Sequence, residues 1–183
     1  QQIQNLLNQV QIIVAKNNQL LDATGGRFNI FSVIGVNHYE TINSSILAEL
    51  LNPKGSHGLK HLFLSAFIEV VNKHGKMCLF DCKTANVTTE AYVGDNGRID
   101  ILIEDSNHHA IILENKIYAN DQDRQLKRYN DYATTKYHEG NFTILYLTLD
   151  GVNASDNSGD GVKYIPISYK ETIIEWLEEC VRI

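Results

Sequence analysis

Apolar residues recur at helical spacing over the first twenty positions. Ile3, Leu6, Leu7, Val10 and Ile13 fall on one face, which predicts an amphipathic helix over 3–21. The Gly25-Gly26 pair ends it, and Phe28, Ile30, Phe31, Val33 and Ile34 then form a short apolar stretch that breaks at Gly35. Ile42, Ile46, Leu47, Leu50 and Leu51 make the buried stripe of a helix over 39–51, which Asn52-Pro53-Lys54-Gly55 stops. A further helix over 58–73 places Leu62, Phe63, Ala66, Phe67, Val70 and Val71 together. The period then shortens. Residues 87–93, 99–104 and 110–116 are rich in β-branched side chains, and turn signals at 94–97 and 105–107 separate them, so they read as a meander of three strands. A helix over 120–138 carries Leu126, Tyr129 and Ala133. The nearly unbroken apolar run 142–149 reads as a buried central strand. A polar loop over 150–162, a short strand over 164–167 and a closing helix over 171–181 complete the chain. This order predicts an α/β fold, a mixed central sheet flanked by helices.

Composition narrows the class. The chain has 183 residues, 43% of them hydrophobic and 21% charged, which suits one globular domain with an appendage rather than disorder. No apolar run approaches the ~20 residues of a membrane span, so no membrane partner is expected. Sixteen basic against twenty-two acidic residues give −6, which argues against a protein wrapped in non-specific DNA contacts. That balance leaves room for a nucleic-acid enzyme, because metal-binding sites are themselves rich in carboxylates. Three cysteines, Cys78, Cys82 and Cys180, do not form a disulfide framework and fit a reducing cytoplasm. The first residue is Gln1 and no signal peptide is visible, so the sequence reads as a fragment or processed product whose natural chain continues beyond Ile183.

The chemistry concentrates in two strands. Asp100 interrupts Ile99, Ile101, Leu102 and Ile103, and Glu114 and Lys116 end a strand of Ala110, Ile111, Ile112 and Leu113. Alternation points Glu114 and Lys116 to one face and Asn115 to the other. Charges at the ends of apolar strands are costly unless paired or bound to metal. Two readings stay open: a structural bridge from Lys116 to Asp100 or Glu114, or two carboxylates holding a hard divalent cation beside a lysine that acts on water or a phosphate oxygen.

Asp100 followed by Glu114-x-Lys116 resembles the signature of the PD-(D/E)XK nuclease superfamily. The context resembles a bacterial branch of it: Glu40, Asn43-Ser44, Leu50-Leu51-Asn52-Pro53 and His57-Gly58, then Thr89-Glu90, Gly97-Arg98-Ile99-Asp100, Glu114-Asn115-Lys116-Ile117, Asp121-Gln122 and Gln125-Leu126-x-x-Tyr129. The resemblance implies a restriction-endonuclease-like core over 28–183, preceded by an N-terminal helix over 1–27. It implies a nuclease that hydrolyses DNA with Mg²⁺ or Mn²⁺. Asp100, Glu114 and the backbone carbonyl of Asn115 would be the metal ligands and Lys116 the catalytic lysine, with Glu40 and Gln125 completing the site. Tyr129 lies one turn after Gln125 on the same helix face, where both can orient Lys116 or a phosphate; Arg98 is a candidate phosphate contact. Many members act as dimers, so a homodimer is an expectation too. The chain departs from the family where Ile99 replaces the proline before Asp100 and Asn43 stands where a histidine is expected.

Competing readings attach to the same residues. Glu40 suits a helix N-terminus through the dipole alone. Arg98 can pair with Glu90 or Asp95. His57 and His61 lack a third zinc ligand, and His57 suits the turn at Pro53–Gly55. Lys116, Arg124, Lys127, Arg128 and Lys136 alternate with Asp121, Asp123 and Asp131, more like a solvated face than a DNA track. A nuclease-like fold that binds nucleic acid or regulates a larger defence or mobile-element protein, with little turnover, is the alternative function.

Overall fold

The computed structural model describes residues 2–25, 28–36, 39–159 and 161–183, the side chains of Phe31 and Ser32 excepted. Gln1, Gly26 and the Phe31 side chain, named above, and Asp160 within the polar loop lie outside the described residues. The chain divides into two compact units, Gln1–Asn37 and His38–Ile183.

The first unit contains helix α1 (Gln2–Thr24) and a single turn of helix, α2 (Ile30–Val33), where only an apolar stretch was legible. No residue of α1 is buried.

The second unit is an α/β sandwich. Helices α3 (Glu40–Leu51) and α4 (Leu62–Val71) precede strands β1 (Asn86–Tyr92), β2 (Arg98–Glu104) and β3 (Ala110–Lys116). Helix α5 (Gln125–Tyr137), strand β4 (Phe142–Thr148), the short helix α6 (Asp156–Gly159), strand β5 (Ile165–Ser168) and helix α7 (Ile174–Arg182) follow. The strands lie in sequence order. β1, β2 and β3 form the expected antiparallel meander, while β4 runs parallel to β3 and β5 parallel to β4. The sheet is therefore mixed. β3 is its middle strand, and β4, read as central from its apolar run, is one place removed, between β3 and the four-residue β5.

Alternation along β3 and β4 builds one core on each face. Ile111, Leu113, Leu145 and Leu147 pack with Leu51, Phe67 and Trp176 of α3, α4 and α7. Ile112, Ile144 and Tyr146 pack with Leu126, Tyr129 and Ala133 of α5. Trp176 is fully buried, and its indole N–H donates to the Phe63 carbonyl at 2.8 Å, which pins α7 across α4.

One strand breaks the alternation. Ile99 and Ile101 are two residues apart in β2, yet Ile99 belongs to the α5 core and Ile101 to the opposite one. The ladder explains this. Thr89 pairs with Ile101 and Ala91 with Ile99, while the step between them, Glu90 opposite Asp100, is skipped. Glu90 has φ 51, a left-handed conformation that is costly for a residue with a Cβ. The sheet changes face at this point, and Asp100 sits at the change.

Candidate active site

Pairing between β2 and β3 starts at Ile101 with Leu113, and one step beyond it stand Asp100 and Glu114. The Asp100 Oδ2 accepts the Asn115 N–H at 2.7 Å, so the carboxylate takes over where the ladder stops. Glu114 is 1% exposed. Its Oε1 accepts from the Lys116 ammonium at 2.9 Å and from the Gln125 amide at 2.7 Å. Its Oε2 is buried and has no hydrogen-bond partner. An unpartnered carboxylate oxygen in a protein interior is an expensive feature, and a bound cation is one way to satisfy it.

The electrostatics point the same way. Burial, then the charge of Asp100, pushes the Glu114 carboxyl up to about 8 from its ordinary 4.5. Burial likewise raises Asp100 to about 6, against the opposing pull of the Asn115 N–H and of Lys116. Burial is the largest influence on the Lys116 ammonium and works against it, but the charge and hydrogen bond of Glu114, with the charges of Glu40 and Asp100, together outweigh it and the lysine is raised overall. Two crowded carboxylates and a single cation leave a net demand for positive charge. Among the described residues no three His, Cys, Asp or Glu side chains converge to form a metal cage. Two carboxylates fit an ion such as Mg²⁺, which keeps several waters and usually takes one or two protein carboxylates.

The support is built from three directions. From α5, Gln125 donates to the Tyr129 hydroxyl at 3.1 Å as well as to Glu114, and the Tyr129 hydroxyl donates to the Arg98 carbonyl at 2.5 Å. Tyr129 is 1% exposed, and burial raises its pKa further, so it stays protonated. From α3, the Glu40 carboxylate reaches past its own helix end. One oxygen accepts the N–H groups of Ile117, Tyr118 and Ala119 at 2.7, 3.2 and 3.1 Å. Glu40 thus fastens the segment that leaves β3 just after Lys116. On the other sheet face, the fully buried Asn115 donates to the Ser44 hydroxyl at 3.0 Å and the Glu40 carbonyl at 3.3 Å, and accepts from the Tyr169 hydroxyl at 3.0 Å.

Lys116 also lines a cleft of about 250 Å³ beside the C-terminal ends of β3 and β4, with Tyr118, Ala119, Tyr146, Thr148 and Asp150 on its walls. Asp121 holds the segment between β3 and α5, accepting from the Tyr146 hydroxyl and the Ser155 N–H at 2.7 Å each.

The structure thus brings together Asp100, Glu114, Lys116, Gln125 and Tyr129, with Glu40 at the edge. Arg98 contributes its carbonyl, and its exposed guanidinium pairs with Glu90 at 3.1 Å. Most of the basic cluster is already engaged. Lys127 pairs with Asp131, Lys136 with Glu104, and Arg128 binds the carbonyls of Asp123 and Asn96. His57 is a turn residue: the Leu59 N–H donates to its Nδ1 at 3.1 Å and its Nε2 contacts the Asn52 carbonyl at 2.9 Å. Cys78, Cys82 and Cys180 are free thiols. Ser44, Asp121 and Tyr169 carry weight that spacing did not reveal. Asn43-Ser44 and Asp121 stood inside the quoted motifs, but Tyr169 is 54 residues from its partner and gave no signal.

A mixed sheet whose middle strand ends in a buried Glu-x-Lys, with an Asp beside it on the neighbouring strand, defines a nuclease-type α/β domain. The chain belongs to the PD-(D/E)XK nuclease superfamily, whose family model matches residues 28–183. Searches of curated proteins and of solved structures return no match. None of the described helices is long and apolar enough to cross a membrane.

Proposed function

We propose that this chain is a metal-dependent nuclease that hydrolyses DNA phosphodiester bonds. The observation that carries the reading is the unpartnered Glu114 Oε2, buried beside Asp100 and next to a lysine that opens onto a cleft. Asp100, Glu114 and the backbone carbonyl of Asn115 hold Mg²⁺ or Mn²⁺ in this reading. The ion supplies Lewis acidity and a nucleophilic water at neutral pH.

The chain's own residues do the rest. Gln125 and Lys116 both engage Glu114 Oε1, which keeps Oε2 directed to the site. Lys116 presents its ammonium between Glu114 and the cleft, where it orients water or neutralises a phosphate oxygen. Glu40 keeps the segment after Lys116 in place, and Tyr129 supports Gln125 from beneath. The exposed Arg98 guanidinium can exchange Glu90 for a backbone phosphate at little cost, because exposed ion pairs contribute about 0–1 kcal/mol. Free thiols suit a reducing cytoplasm.

The direct Lys116–Glu114 pair and the charge of −6 favour one other reading, a nuclease-like module that binds nucleic acid with little turnover. Cleavage of single- and double-stranded DNA with Mg²⁺, Mn²⁺ or EDTA separates the two. The nuclease cuts only with metal, and Lys116→Ala lowers the rate by roughly 100-fold or more while the protein stays folded. Cutting that survives in Lys116→Ala refutes the assigned role. Metal-independent DNA binding without cutting establishes the module.

A further inference from the structure

The apolar side chains of helix α1 face solvent. Ile3, Leu6, Val10, Ile13 and Leu20 are between 47% and 76% exposed. Their spacing is narrower than that of an ordinary amphipathic helix. Residues 3, 10, 17 and 24 fall at one position of a seven-residue repeat, the a position, and 6, 13 and 20 at the d position. The a positions hold Ile3, Val10, Asn17 and Thr24, and the d positions Leu6, Ile13 and Leu20. A seam repeating every seven residues is the pattern of helices that wind around each other.

From this pattern we infer that α1 is an oligomerisation helix, which pairs with α1 of a second copy of the chain as a parallel two-stranded coiled coil.

The occupant follows from the residues. β-branched Ile3 and Val10 at a, with leucine at two of three d positions, favour two strands. Asn17 is the polar a residue inside the helix, Thr24 standing at its last position. In a parallel pair it meets its own equivalent, and the two amides bond to each other; against any apolar strip it would be buried without a partner. Charge gives no reason for a different partner. Lys16 and Asp22 are the only charged residues of α1, so the helix neither repels its copy nor selects a chain of opposite sign. The area suffices as well. With Leu7 and Val14 flanking the seam, the exposed apolar side chains offer on the order of 700 Å² per helix, or about 1,400 Å² for a pair, within the range of stable interfaces.

The test uses the full chain in solution. Sedimentation or light scattering over the micromolar range gives a mass twice that of the chain, and the Leu6→Lys, Ile13→Lys double variant halves it. The near-ultraviolet signal of Trp176 in the other unit stays unchanged in that variant, which separates loss of pairing from unfolding. Orientation is read by oxidation: Asn17→Cys cross-links two copies rapidly, and Gln11→Cys on the outer face does not. A wild type that is monomeric throughout, a trimer or tetramer, a double variant that keeps the mass, or equal cross-linking at both positions overturns the inference.

Discussion

Raising the pH on the metal-free protein tests the buried carboxylates without reference to activity. Glu114 titrates at about 8 when folded and near 4.5 when unfolded, because burial and Asp100 disfavour its charge. A folded-state pKa above the unfolded one means that the native state binds the proton more tightly. The associated stability is fully present below pH 4.5 and is lost as pH climbs through 8. At 1.36 kcal/mol per unit, the shift corresponds to about 5 kcal/mol, comparable with the total stability of many domains. Asp100, raised to about 6, acts in the same direction over the lower part of the window, and the two titrate as a coupled pair. The other shifted carboxylates and lysines stay silent there. Glu104, Asp105 and Asp121 are lowered, so their contribution is lost only in acid, and Lys116 is raised and remains protonated throughout. Urea unfolding in EDTA between pH 5 and 8.5 is the assay. Stability should fall by several kcal/mol across that range, Glu114→Gln should remove most of the slope, and excess Mg²⁺ should restore the wild type at pH 8. A flat or rising profile in EDTA, or a slope that survives Glu114→Gln, would refute the assignment of a strained, cation-seeking carboxylate.

Two further substitutions probe the framework. Asn115→Ala strands the hydroxyls of Ser44 and Tyr169 at the junction of α3, β3 and the segment before α7, and should cost about 2–4 kcal/mol in urea unfolding; a loss under 1 kcal/mol would show that the junction is not a fastener. Glu90→Gly relieves the left-handed backbone at φ 51 and gives up only an exposed pair with Arg98, so it should leave stability unchanged or raise it by about 1 kcal/mol; a loss above 1 kcal/mol would contradict that reading of the ladder break.

The three strands of the meander and the shared face of Glu114 and Lys116 were legible because alternation is a local rule. Ile111 and Leu113 had to share a face, and so the side chain of Asn115 had to turn away from its two charged neighbours. The helix placed over 120–138 begins only at Gln125, because the residues before it are used elsewhere. Asp121 is taken by Tyr146 and Ser155, and Arg124 has φ 50. Short polar side chains that bond to distant backbone compete with helix formation, and spacing cannot reveal the partner. The helix placed over 58–73 starts at Leu62 for a similar reason, with Lys60 at φ 54. The change of face at Asp100 was hidden too. Ile99, Asp100 and Ile101 read as one alternating strand, and only the backbone of Glu90 on the neighbouring strand shows that they are not.

That change of face makes Asp100 the one point on β2 that answers to both halves of the interior. Ile99, on its N-terminal side, is held by the α5 layer, and Ile101, on the other, by the layer of α3, α4 and α7. Each layer thus bears on Asp100 through a neighbouring residue of its own strand, so packing remote from the cleft adjoins the carboxylate that accepts the Asn115 N–H.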